Sequence, residues 1–186
     1  MTRKNNSKIL SVFLLLLIVS LLLFSLSSIK LVKTSERDDF NSLSRSQREK
    51  VNEETRGMDI EQIIDYSLSF TARELRFAVL NDIPEGKANC VGYAQLCAAI
   101  CNQAMVTNRI SGQAKPVVGY LESNGINWCK VLRAIAPKDS YRNFVKDHDF
   151  VELNTPFKRY YFDPSIYDVL GNKCFTQTNK NADNNG

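Results

Sequence analysis

Residues 9–29 read ILSVFLLLLIVSLLLFSLSSI, 21 residues without a single charge. A helix built from them is apolar on every face, so the usual surface position, apolar on one side and polar on the other, is closed to it. At 1.5 Å per residue such a helix is about 30 Å long, the thickness of a bilayer's hydrocarbon core. Residues 1–8 ahead of it are short, polar and basic. That arrangement suits a signal segment, or an uncleaved anchor whose N-terminus stays in the cytoplasm. The length favours a single-pass anchor, because the apolar part of a signal peptide is usually about 7–15 residues. Ser25-Leu26-Ser27 has the small-x-small form of a cleavage site and carries the alternative, a secreted or periplasmic chain. In both cases the residues that follow are expected outside the cytoplasm.

Charge points the same way. The net charge is +4, and residues 1–30 contain Arg3, Lys4, Lys8 and Lys30 with no acid, so the excess lies entirely there. The neutral remainder argues against a nucleic-acid partner, which would call for a basic patch or stripe. Five cysteines are too few, and odd in number, for a disulfide-dense scaffold. His148 is the only histidine, which excludes any site built on two or more imidazole ligands.

Residues 30–58 are polar, with few large apolar side chains, and read as a tether or a loosely formed helix. Asp59 is a candidate N-cap for a helix with Ile60, Ile63, Ile64 and Leu68 at helical spacing. Ile83-Pro84-Glu85-Gly86 reads as a turn. Residues 90–104 are Ala-rich with small apolar side chains throughout, and predict a buried helix. Shorter runs follow at 115–121, 127–135, 150–153 and 160–162. They hold β-branched and aromatic residues between turn signals, and read as strands. Residues 176–186 are polar and Asn-rich and predict a disordered tail. Helices first and strands afterwards suggest an α+β domain over residues 59–175 with an antiparallel sheet.

Cys90 begins the buried helix. The unpaired N–H groups and the dipole at a helix N-terminus favour a thiolate, the reactive form of cysteine. The same groups can donate to the oxyanion formed when a carbonyl is attacked. A nucleophilic cysteine needs a base, and His148 is the only imidazole available. The base in turn needs an acceptor for its second ring nitrogen. Asp163 ends the next predicted strand, and a hairpin turning at Asn154-Thr155-Pro156 would set His148 and Asp163 side by side. Asp149 and Asp168 are the other candidates. Asp149 neighbours His148 along a strand and should point to the opposite face, and Asp168 lies beyond the strand end.

These pieces resemble the transglutaminase-like superfamily, whose core is papain-like. The likeness rests on Ala88-Asn89-Cys90 opening a helix, on Gly119-Tyr120 in the following strand, on His148-Asp149-Phe150-Val151-Glu152, and on Asp163-Pro164-Ser165. It departs from the family pattern at Ala88, where glycine is usual, and at Phe150, where tryptophan is. The resemblance implies a papain-like fold with a central helix packed on an antiparallel sheet. It also implies a Cys90-His148-Asp163 triad acting without cofactor on amide bonds of a peptide or protein, by hydrolysis or acyl transfer.

Two other classes remain open, a catalytically silent binding module and a purely structural tethered protein. The second predicts Cys90 buried away from His148. Cys97 and Cys101 share a helical face with Cys90, but Cys101 lies about 16 Å along the axis, too far for a common metal ion. They are assigned to the core, and no metal site is expected. Cys129 and Cys174 could pair in an oxidising compartment.

Overall fold

In the computed structural model, residues 29–37, 42–78, 87–135 and 147–179 are described. The apolar run, apart from Ile29, and the turn expected at 83–86 lie outside them. Among the described residues no helix is long and apolar enough to cross a membrane.

The chain enters through strand β1 (Lys30–Glu36), followed by helices α1 (Arg45–Glu54) and α2 (Ile60–Glu74) and two short strands, β2 (Arg76–Phe77) and β3 (Lys87–Ala88). Helix α3 (Cys90–Thr107) comes next, then β4 (Gln113–Ser123), β5 (Ile126–Asn127) and helix α4 (Trp128–Ile135). Strands β6 (His148–Asn154) and β7 (Lys158–Phe162), helix α5 (Pro164–Leu170) and β8 (Thr176–Asn179) complete it. The main sheet runs β1-β4-β6-β7-β8, with β5 paired to β4, and every pairing in it is antiparallel. The protein is therefore α+β, with helices packed on an antiparallel sheet.

Local chemistry explains the main elements. Asp59 caps α2 through a full capping box: its carboxylate accepts from the Gln62 N–H, and the Gln62 side chain accepts from the Asp59 N–H. Ile63, Ile64, Leu68 and Phe70 of α2 are buried against α3, itself buried at Ala94, Cys97, Ala98, Ile100, Cys101, Ala104 and Met105. The alternation of a strand divides the sheet's side chains. Ala114, Val151 and Leu153 join the helical core, while Val117 and Phe150 join Leu31 and Cys174 in a second cluster.

Three expectations need correction. The segment 30–58, expected as a tether or a loosely formed helix, contains strand β1 as well as helix α1. β1 is held by its pairing along β4, and α1 by a Ser44 capping box together with the burial of Val51. The strand predicted at 127–135 is almost entirely helix α4, because the Asn127 side chain accepts from the Lys130 N–H (3.0 Å) and so starts a helix. Within the tail predicted at 176–186, Thr176–Asn179 form β8 on the edge beside β7; residues 180–186 lie outside the described part.

Candidate active site

Cys90 is placed by what precedes it. β3 lies parallel to β2, pairing Phe77 with Ala88, and the Ala78 N–H donates to the Ala88 carbonyl (2.9 Å). Asn89 then caps α3, its side-chain oxygen accepting from the N–H groups of Val91 (3.1 Å) and Gly92 (3.3 Å). Cys90 is consequently the first residue of a helix whose body is locked in the core.

His148 opens β6, directly opposite Gly119 of β4, which itself faces Lys33 of β1. A β-carbon at position 119 would stand 1.9 Å from the Val32 carbonyl oxygen and 2.9 Å from the Phe150 ring. Only glycine lets β1 pass this close, and the pairing of β1 shifts by one residue between Lys33 and Ser35.

The β6–β7 hairpin pairs Val151 with Phe162 and carries Asp163, one residue further, to the start of β6. Asp163 has a second task as the N-cap of α5, with Pro164 in the first turn. Its Oδ1 accepts from the Ser165 N–H (2.9 Å), the Ser165 hydroxyl (2.7 Å) and the Ile166 N–H (3.0 Å). Oδ2 is turned to Nε2 of His148, with which it forms a short hydrogen bond and ion pair. Cys90, at the start of α3, is near enough to act on the His148 ring. Nε2 is taken by Asp163, so Nδ1 is the ring nitrogen left for the thiol.

The electrostatics of the pair are mutual. Burial disfavours a charged imidazole, but the charge and hydrogen bond of Asp163, with a smaller contribution from Cys90, outweigh it and raise the His148 pKa well above its ordinary value. Burial would likewise raise the Asp163 pKa, yet the His148 charge and hydrogen bond, with the donors of Ile166 and Ser165, hold it below the ordinary value. The pair thus favours a protonated imidazole facing a carboxylate that is fully buried, while 14% of the His148 side chain reaches solvent.

The structure therefore brings Cys90, His148 and Asp163 together and assigns the rival carboxylates elsewhere. Asp149 is held by Arg37, and Asp168 accepts from the Tyr93 hydroxyl at 2.6 Å. All five cysteines are free thiols, Cys129 and Cys174 included. Sequence reading missed Ser165 and Arg37. Ser165 was within reach of it, since Asp-Pro-Ser is a helix-start signature. Arg37 stood in a segment that looked like a tether.

No family model, curated protein or solved structure matches this chain.

Proposed function

We propose that this chain is a membrane-anchored, extracytoplasmic cysteine enzyme with a transglutaminase-like, papain-like core, acting on amide bonds through Cys90, His148 and Asp163. One observation carries the reading: a cysteine at a helix N-terminus and a buried, charge-neutralised aspartate share one imidazole. Surface histidines and core cysteines seldom meet in this order, which is what nucleophilic catalysis requires.

In the proposed reaction His148 takes the Cys90 thiol proton on Nδ1, and the thiolate sulfur attacks the carbonyl carbon of a carboxamide. A C–S bond forms, and the carbonyl electron pair moves to oxygen. The oxyanion is met by the backbone N–H of Cys90 at the start of α3. His148 gives its Nδ1 proton to the leaving nitrogen, the C–N bond breaks, and a thioester remains. Water or an amine then attacks the thioester while His148 takes a proton from it, and the thiolate departs. Water yields hydrolysis and an amine yields acyl transfer. Asp163 fixes the imidazole tautomer throughout and stabilises its charged form. The apolar run at 9–29 is assigned to a bilayer, which puts the substrate among proteins or peptides at the membrane surface.

The test is to incubate the full chain in detergent with peptide carboxamides and to quench early for intact-mass spectrometry. The expected species is an acyl adduct on Cys90, labile to hydroxylamine and absent from Cys90→Ala. A Cys90 that reacts with alkylating reagents but is acylated by no carboxamide would overturn the enzyme reading in favour of the binding module.

A further inference from the structure

Arg37 follows β1 directly, and its N–H donates to the Pro116 carbonyl of β4 (3.3 Å). Its side chain reaches across that strand to β6. Nε donates to both oxygens of Asp149 (2.7 and 3.1 Å), and a terminal guanidinium nitrogen adds a third bond to Oδ2 (2.9 Å). Asp149 is almost wholly buried, whereas 30% of the Arg37 side chain is exposed. A carboxylate hidden to that degree needs a partner, and Arg37 supplies it. Asp149 also adjoins His148 in sequence, in the same opening rungs of β6.

The Arg37 pKa is raised, chiefly by its hydrogen bond with Asp149, against burial, and further by the charges of Asp149, Asp147 and Cys90. The groups that act on the imidazole are Asp163 from the start of α5 and Cys90 from α3, while Asp147 and Asp149, from β6 and its approach, act on Arg37 at the end of β1.

We propose that Arg37 is a positioning residue: its forked grip on Asp149 fixes the first rungs of β6 and so holds the His148 ring against Cys90. A planar guanidinium sets direction as well as distance, which a point charge cannot do. The inference rests on the triad reading above and adds to it a contact supplied by the edge strand, far away in sequence.

Alkylation of Cys90 by iodoacetamide, followed from pH 5 to pH 9.5 on the full chain in detergent, reads this out. Asp149→Asn and Arg37→Ala should each slow alkylation about tenfold at pH 6, equivalent to about one pH unit of displacement. At pH 9.5 rates should stay within about twofold. Arg37→Lys should restore part of the loss. On a His148→Ala background Arg37→Ala should change the rate by less than about twofold, because residues acting through one another are not additive. Asp149→Asn keeps the side chain's shape and carries the test if Arg37→Ala does not fold. An unshifted profile, an equal loss at every pH, or a full effect that persists without His148 would overturn the proposal. If His148→Ala alone leaves the wild-type profile unmoved, the triad reading fails and this inference with it. If His148→Ala shifts the profile but the Arg37 and Asp149 variants do not, this inference fails alone.

Discussion

Gly119 and His148 stand directly opposite one another across β4 and β6, so the one position where β1 demands a missing side chain shares a rung with the one imidazole of the protein. Gly119→Ala forces a β-carbon into the Val32 carbonyl, and the ladder has to open on one side or the other. The expected cost is about 1–3 kcal/mol, as for other overpacked sites. It should be read as a lowered urea midpoint with an unchanged m-value, accompanied by slower Cys90 alkylation. A variant as stable and as reactive as wild type would show that β1 yields freely.

Cysteine selectivity follows from the surroundings of each thiol. Cys97 and Cys101 are fully buried, and burial pushes the Cys101 thiol up to about 12 and Cys97 well above its ordinary value. Burial also pushes Cys174 up to about 12. Cys129 is the informative control, since it is 6% exposed against 7% for Cys90 but has no imidazole partner in the site. Peptide mapping after brief iodoacetamide treatment at pH 6 should place most of the label on Cys90, and His148→Ala should remove that preference. Equal labelling of Cys90 and Cys129 would mean that accessibility, not chemistry, sets the rate.

The His148–Asp163 pair should make stability depend on pH in a definite direction. The folded pKa of His148 is raised, so its contribution is complete below its ordinary value of 6.5 and is lost as pH rises through the higher folded value. The folded pKa of Asp163 is lowered, so its contribution is complete above its ordinary value of 3.8 and is lost as pH falls through the lower folded value. Asp163→Asn should therefore destabilise most between about pH 4 and pH 6.5, by about 3 kcal/mol, the scale of a broken buried pair. The difference should shrink in alkali. Denaturant curves across that range supply the check, and a pH-independent difference would contradict the assignment.

Asp168 provides the contrast. Its carboxylate accepts from the Tyr93 hydroxyl and does not serve His148. Asp168→Asn or Tyr93→Phe should cost roughly 1 kcal/mol of stability, the scale of one hydrogen bond. Neither should move the pH profile of Cys90 alkylation. A shift as large as that of Asp163→Asn would reassign the carboxylate partner of the imidazole.

The sequence carried the elements whose signal is local. The Asp59 cap with its periodic isoleucines, the small-residue helix after Cys90 and the alternating strands around Val117 and Val151 each announce themselves within a dozen residues. The pairing of His148 with Asp163 was legible because one histidine and one hairpin leave little choice. Elements whose stability comes from a distant partner were not legible. β1 is polar in sequence and becomes a strand only because β4 offers it an edge. β8 is in the same position beside β7. Asn127 reads equally well as a strand residue or a cap, and the bond to Lys130 settles it as a cap. Arg37 acquires meaning only through Asp149, 112 residues away.

The entry of the chain through β1 leaves almost no slack between the apolar run and the rung of His148. Lys30, the residue after that run, begins the strand, and Lys33 already shares a rung with Gly119 and His148. Three strand residues span about 10 Å. On the proposed reading, with residues 9–29 lodged in a bilayer, the rung of His148 would lie about a nanometre along the strand from the point where the chain leaves the lipid. Such a domain cannot sweep the space around its anchor as one on a long leash does. On the proposed reading its choice of target would be set by altitude as much as by side chains: an amide at that level would be within reach, and an identical one several nanometres higher would not.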